Sequence, residues 1–121
     1  MSAPNIVNVS TITAKSVQAT LNTTLTTEIL ANASSSGKVF KINTIIVANI
    51  DGSSAADASV AITKSGGSPI MIASTISVPA DATLVVIDKN SSLYLEEGDN
   101  IEAGASANSD LTITISYEEL S

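Results

Sequence analysis

The chain contains no cysteine, no histidine, no tryptophan and no arginine, and its aromatic residues are three: Phe40, Tyr94 and Tyr117. Without cysteine there is no disulfide framework and no thiolate nucleophile. Without histidine as well, the commonest general base and the commonest metal ligand are both missing, so zinc, haem and iron–sulfur chemistry and any histidine-dependent triad are excluded. Five cations, all lysine, face twelve carboxylates for a formal charge of −7. That balance repels phosphate backbones and anionic membrane surfaces, and the guanidinium best suited to bidentate phosphate contacts is absent, so neither nucleic acid nor membrane is expected as a partner. No apolar run approaches the roughly eighteen residues of a membrane span, and "MSAPNIVNVS" lacks the basic segment and apolar core of a secretion signal.

Ile, Val, Ala, Ser and Thr are plentiful. With few rings to fill a core, small β-branched side chains from many short elements suit packed sheets better than thick helices, and 121 residues make one domain of that kind. Leu111, Ile113, Ile115 and Tyr117 alternate with Thr112, Thr114, Ser116 and Glu118, the period of a half-buried strand. Ile101, Ala103, Ala105 and Ala107 alternate before them, and Asn108-Ser109-Asp110 supplies turn chemistry, so the two runs read as a hairpin. Lys38 to Ile50 reads as a central strand, with Phe40, Ile42, Ile46, Ala48 and Ile50 on one face. Asp51-Gly52 then opens a turn into Ala58, Val60 and Ile62, a second expected hairpin. Ile70 to Val78 is a strand with an irregularity near Ala73-Ser74, closed by Pro79. "PADA" is a turn, and short strands follow from Thr83 and Ser92. Residues 1–30 are Ser/Thr-rich and read either as an arm or as first strands, with the sandwich proper over 31–121. The expected fold is all-β, an antiparallel β-sandwich of jelly-roll type.

What chemistry remains is carboxylate chemistry. "YLEEGDNIE" at 94–102 carries Glu96, Glu97, Asp99 and Glu102, and Asp51, Asp57 and Asp110 lie in loops that could converge with them on a calcium ion or a sugar. Against this, the spacing of an EF-hand loop is absent, adjacent Glu96 and Glu97 point to opposite faces of a strand, and turns are ordinarily rich in Asp, Asn and Gly. The stretch reads as a solvated turn, and no catalytic, cofactor-binding or metal residue is assigned. Four Asn-x-Ser/Thr sequons, at Asn8, Asn22, Asn32 and Asn90, follow from composition and carry no weight.

The order of elements adds something that no single motif does. "KVFKINTIIVANIDGSSAADASVAI", then "ISVPADATLVVIDKNSSLYLEEGDNIEAGASANSDLTITISYEEL", resembles a recurrent small β-domain of tailed-phage virion proteins, especially those of phages infecting marine cyanobacteria: a long strand ending in an Asn-containing turn, a Val-Pro-Ala segment leading into Leu-Val-Val, a Leu-x-x-Gly-Asp-x-Ile turn, and a final strand ending in Tyr-Glu-Glu. The resemblance covers about residues 28–120. It implies a non-enzymatic capsid cement or decoration protein without cofactor, on the outside of the particle, with the major capsid protein and its own copies, as a homotrimer, for partners. A tail or head-fibre component is the alternative within that class, and a carbohydrate- or calcium-binding module is the alternative outside it.

Overall fold

Strand-forming residues dominate the chain, and the computed structural model, which describes residues 7–25 and 28–121, places them in nine strands. These are β1 (Ile12–Thr20), β2 (Glu28–Ala31), β3 (Val39–Asn49), β4 (Ala56–Thr63), β5 (Ile70–Val78), β6 (Thr83–Ile87), β7 (Leu93–Leu95), β8 (Asn100–Ala105) and β9 (Leu111–Leu120). They form two antiparallel sheets. The first runs β1-β9-β3-β6, with β7 also paired to β3, and the second runs β2-β8-β4-β5. A single 3₁₀ turn at Lys89–Ser91, capped by the Asp88 side chain, interrupts what is otherwise one strand from β6 to β7.

The pairings nest: β1 with β9, β2 with β8, β3 with β6 and β7, β4 with β5. A chain folded back on itself as one long ribbon and then rolled gives this order, so the sandwich is a jelly roll, the fold class expected from the sequence. Between the sheets lie Leu30, Ile42, Ile45, Val47, Val60, Val78, Leu95, Ile101, Leu111, Ile113 and Ile115, all buried. Phe40 and Tyr117 stack beside them with ring centroids 5.2 Å apart. Burying an aliphatic side chain of this size contributes about 1.5–3 kcal/mol, so this apolar layer, and no cross-link, holds the fold.

Three expectations are corrected. The run through Asp51-Gly52 is not a hairpin, because β3 is flanked by β9 on one side and by β6 and β7 on the other, leaving no edge for β4, which crosses to the second sheet. The run through Asn108–Asp110 crosses between sheets in the same way, from β8 to β9. Alternation fixes which face of a strand is buried; it does not name the neighbour. The third concerns β3, whose register against β9 shifts between Ile42 and Thr44. The bulged Asn43 inverts the alternation, so Ile45, Val47 and Asn49 face inward after Phe40 and Ile42, while Ile46 and Ala48 turn outward and Ile50 is exposed. The irregularity expected in β5 is present: its register against β4 shifts twice, and Thr75 has a φ of 50°.

The described part of the N-terminal segment contributes to both sheets, β1 along β9 and β2 against β8. The β2–β3, β4–β5 and β7–β8 connections meet at one end of the sandwich, and the β1–β2, β3–β4, β5–β6 and β8–β9 connections meet at the other.

Candidate functional site

The acidic stretch lies at the first of these ends, where Glu96 to Asp99 form the tight turn from β7 to β8. The Asp99 N–H donates to the Glu96 carbonyl at 3.0 Å, closing the turn. Gly98 has a φ of +87°, a left-handed conformation that glycine adopts without steric cost. A Cβ there would also come within 2.7 Å of the Ser65 Oγ on the neighbouring loop.

This turn is not solvated as expected, for Asp99 is only 2% exposed. Its Oδ1 accepts from the Ser65 N–H at 3.0 Å, and its Oδ2 accepts from the Glu96 N–H at 2.8 Å and from the Lys64 ammonium at 2.5 Å. A buried carboxylate is tolerable only when it is paired and hydrogen-bonded in this way. Lys64 also reaches Glu96 at 3.2 Å. The hydrogen bond to Asp99 raises the Lys64 pKa above the ordinary lysine value against a smaller opposing effect of burial, and Glu96 adds to the rise.

Asn32 completes the junction. It is buried, its N–H donates to the Asp99 carbonyl at 2.9 Å, and its carbonyl accepts from the Gly98 N–H at 2.7 Å. Its side-chain amide donates to the carbonyls of Lys38 and Leu95, while its Oδ1 accepts from the Ser36 hydroxyl. Glu97 turns the other way and accepts from the Gly37 N–H at 2.9 Å. The divergence of Glu96 and Glu97 thus sends one carboxylate to the β4–β5 loop and the other to the β2–β3 loop. Three connections are knotted by one turn. Asn32 is also one of the four sequon positions, and its amide is fully engaged here.

On the first sheet at the same end, Glu119 receives Lys38 at 3.1 Å and Lys15 at 3.2 Å. Burial alone would raise the Glu119 pKa, but the two lysines more than offset it and hold the carboxyl below its ordinary value. Neighbouring Tyr117 has its phenol pKa raised by burial and further by the Glu119 charge. A shallow hollow of about 390 Å³ beside them is bordered by Lys15, Asn43, Tyr117 and Glu118, polar groups without a nucleophile and base in register.

The three aspartates expected in loops do not join the acidic turn, and Asp57 is not in a loop but within β4, opposite Ser77. Asp51, Asp57 and Asp110 lie at the opposite end of the sandwich, beside the ends of β3, β4 and β9. Among the described residues no group of three or more acidic side chains is gathered to hold a metal ion. The opposite end is tied by Asn49 instead, which lies within the strand expected from Lys38 to Ile50 and was given no role there. Its buried amide donates to the carbonyls of Ser54 and Val78, both at 2.9 Å, and its Oδ1 accepts from the Asp51 N–H. A polar residue on the inward face of an apolar strand was the signal that could have found it, but the bulge at Asn43 hid which face Asn49 occupies. No protein-family model matches the chain, and no curated protein matches it in sequence.

Proposed function

We propose that the chain is a non-enzymatic structural protein of a tailed-phage particle, acting as a cement protein that binds the major capsid protein on the outer surface of the head and stabilises the shell. The observation that carries this reading is the use to which the carboxylates are put. Both Asp99 oxygens, Glu97 and Glu119 accept hydrogen bonds from the chain's own loops and lysines, so the acidic cluster braces the sandwich, which supports a structural role.

A surface suited to binding the shell lies on the outer face of the first sheet. Rows of paired residues cross it without a charge: Thr20, Thr112, Ala48 and Thr83; Gln18, Thr114, Ile46 and Val85; Ser16, Ser116 and Thr44. This uncharged part of the face, bordered in the next row by Lys41 and Glu118, can approach another protein without stripping water from ions. Many such contacts around a shell, each modest, sum to strong attachment. Purified particles of the encoding phage, analysed by mass spectrometry and then imaged, test the proposal: density for this domain on the outside of the head is the expected result, and absence from the particle, or density confined to the tail, overturns it.

A further inference from the structure

We propose that the open edge of β1 pairs with the same edge of a second copy of this chain, the two strands running antiparallel about a twofold axis through Ser16, so that the first sheets of two sandwiches become one. β1 ends its sheet, with β9 as its one neighbour there. The direction of its backbone groups follows from the bonds at its two ends. Thr11 and Ser121 each donate to the other's carbonyl at 2.9 Å, and the Leu21 N–H donates to the Leu111 carbonyl at 2.8 Å. Between them the register runs from Ile12 opposite Leu120 to Thr20 opposite Thr112 without a shift. Antiparallel pairing bonds every second residue to the neighbour, so Thr13, Lys15, Val17 and Ala19 bond to β9, while Ile12, Ala14, Ser16, Gln18 and Thr20 turn N–H and C=O outward. All five are exposed, and among the described residues nothing bonds to their outward backbone groups.

An unpaired edge is a template for a further strand, and folded chains ordinarily blunt it. The other edges here are blunted. β2 is four residues long with a shifted register. β5 shifts register twice, and its Thr75 N–H is taken by the Ser59 hydroxyl at 3.0 Å. β6 and β7 are broken apart by the 3₁₀ turn. β1 has none of these devices: its nine residues contain no proline and no bulge, which at the usual rise per residue makes about 30 Å of straight edge. Its one charge, Lys15, would guard the edge if it reached across it, but Glu119 holds that ammonium back over β9 at 3.2 Å.

What fills such an edge is an extended backbone, because a strand offers donors and acceptors at the same repeat. A second copy brings one. With the axis at Ser16, Ile12 meets Thr20 of the second copy, Ala14 meets Gln18, and Ser16 meets its own counterpart; these are the residues whose backbone groups point outward, so every outward N–H and C=O finds a partner. β1 carries no carboxylate, and Lys15 comes opposite Val17 of the second copy, so a chain of net charge −7 meets itself here without like charges directly opposed. A strand from another protein would satisfy the same groups, but every free chain would carry the open edge until that protein arrived. Pairing with its own copy removes the liability once the chain has folded. The pairing also consumes both β1 edges and leaves blunted ones exposed, so the assembly closes at two. A ring of three would set each β1 against a short, bent or broken strand.

The inference does not depend on the capsid reading. Light scattering of the full chain over a concentration series should give twice the chain mass. Amide hydrogen exchange read residue by residue locates the contact: Ile12, Ala14, Ser16, Gln18 and Thr20 should exchange about tenfold or more slowly in the dimer than at the dilution that separates the copies, while Thr13, Lys15, Val17 and Ala19 are protected in both. Ser16→Pro removes an N–H that bonds to nothing within its own chain and puts the ring at the axis, so it should give the single chain mass with unchanged circular dichroism. A monomer at every concentration, a trimer, a Ser16→Pro chain that still dimerises, or a dimer whose five outward amides exchange as fast as in the separated chain overturns the proposal. If Ser16→Pro does not fold, the amide pattern of the native chain decides.

Discussion

The two ends of the sandwich solve one problem with different chemistry. At each end a buried asparagine donates one amide hydrogen to a loop carbonyl and the other to the last carbonyl of a strand, and accepts a local donor on its oxygen, Asn32 at one and Asn49 at the other. Loops that leave a sheet carry backbone groups that must find partners, and a primary amide satisfies two carbonyls with no net charge. At the Asn49 end that suffices. At the Asn32 end the unsatisfied groups include the N–H groups of Ser65 and Glu96, and donors call for an acceptor, so a carboxylate does the tying and brings Lys64 with it. The choice between amide and carboxylate follows from whether carbonyls or N–H groups are left over.

Exchanging the two solutions breaks the comparison most severely. Asp99→Ala strands two N–H groups and removes the partner of Lys64. With charge-assisted hydrogen bonds contributing about 1.5–3 kcal/mol each, a loss of about 4 kcal/mol in urea-measured stability is expected. Asn49→Asp should cost about 3 kcal/mol at neutral pH, since an ionised carboxylate would face the carbonyls of Ser54 and Val78 in place of a donor. Unlike the native protein, this variant should gain stability as the pH falls through the carboxyl pKa. If Asn49→Asp proved neutral, the equivalence drawn between the ends would fail.

Gly98 sharpens the picture within the charged end. Gly98→Val meets both a left-handed backbone and the Ser65 side chain, whereas Gly66, with a φ of +73°, has open space around it. The expected losses are about 3 kcal/mol for Gly98→Val and about 1 kcal/mol for Gly66→Ala, read by thermal or urea unfolding. Equal effects would mean that the close approach to Ser65 is immaterial.

Much of this was legible in the residues and some was not, for physical reasons. Alternation in 111–118 and the composition of the core gave the strand class and the sandwich, because burial of one face leaves a period of two. The neighbours of β4 and β9 were not legible, since crossing between sheets and turning back within one need similar loops. The bulge at Asn43 was not legible either, because Ile45, Ile46, Val47 and Ala48 are apolar in both phases and hide the change of phase, and with it went the inward placement of Asn49. For "YLEEGDNIE" the turn was readable from Gly98 and Asp99, but its burial was not: Asp99 is dry because Ser65 and Lys64, more than thirty residues away, close over it.

The smallest expected effects are read by pH, and both belong to the charged end. Lys64 has a raised pKa when folded, so its contribution is present in full below the unfolded value of about 10.4 and is lost as pH rises through the folded one. Glu119 has a lowered pKa, so its contribution is present above the unfolded value of about 4.3 and is lost as pH falls through the folded one. Because Lys64 is half exposed, solvent screening limits the alkaline loss to under about 1 kcal/mol. Urea unfolding between about pH 8 and 11 should show a smaller loss in Lys64→Met than in the native protein, the remainder coming from Tyr117, whose phenol pKa is also raised, and Glu119→Gln should flatten the acid limb. Glu97→Gln, which keeps an oxygen to accept from Gly37, should change stability by under about 0.5 kcal/mol at any pH. A Glu97→Gln protein that folded normally but no longer did its work would place at this turn a chemistry beyond bracing loops.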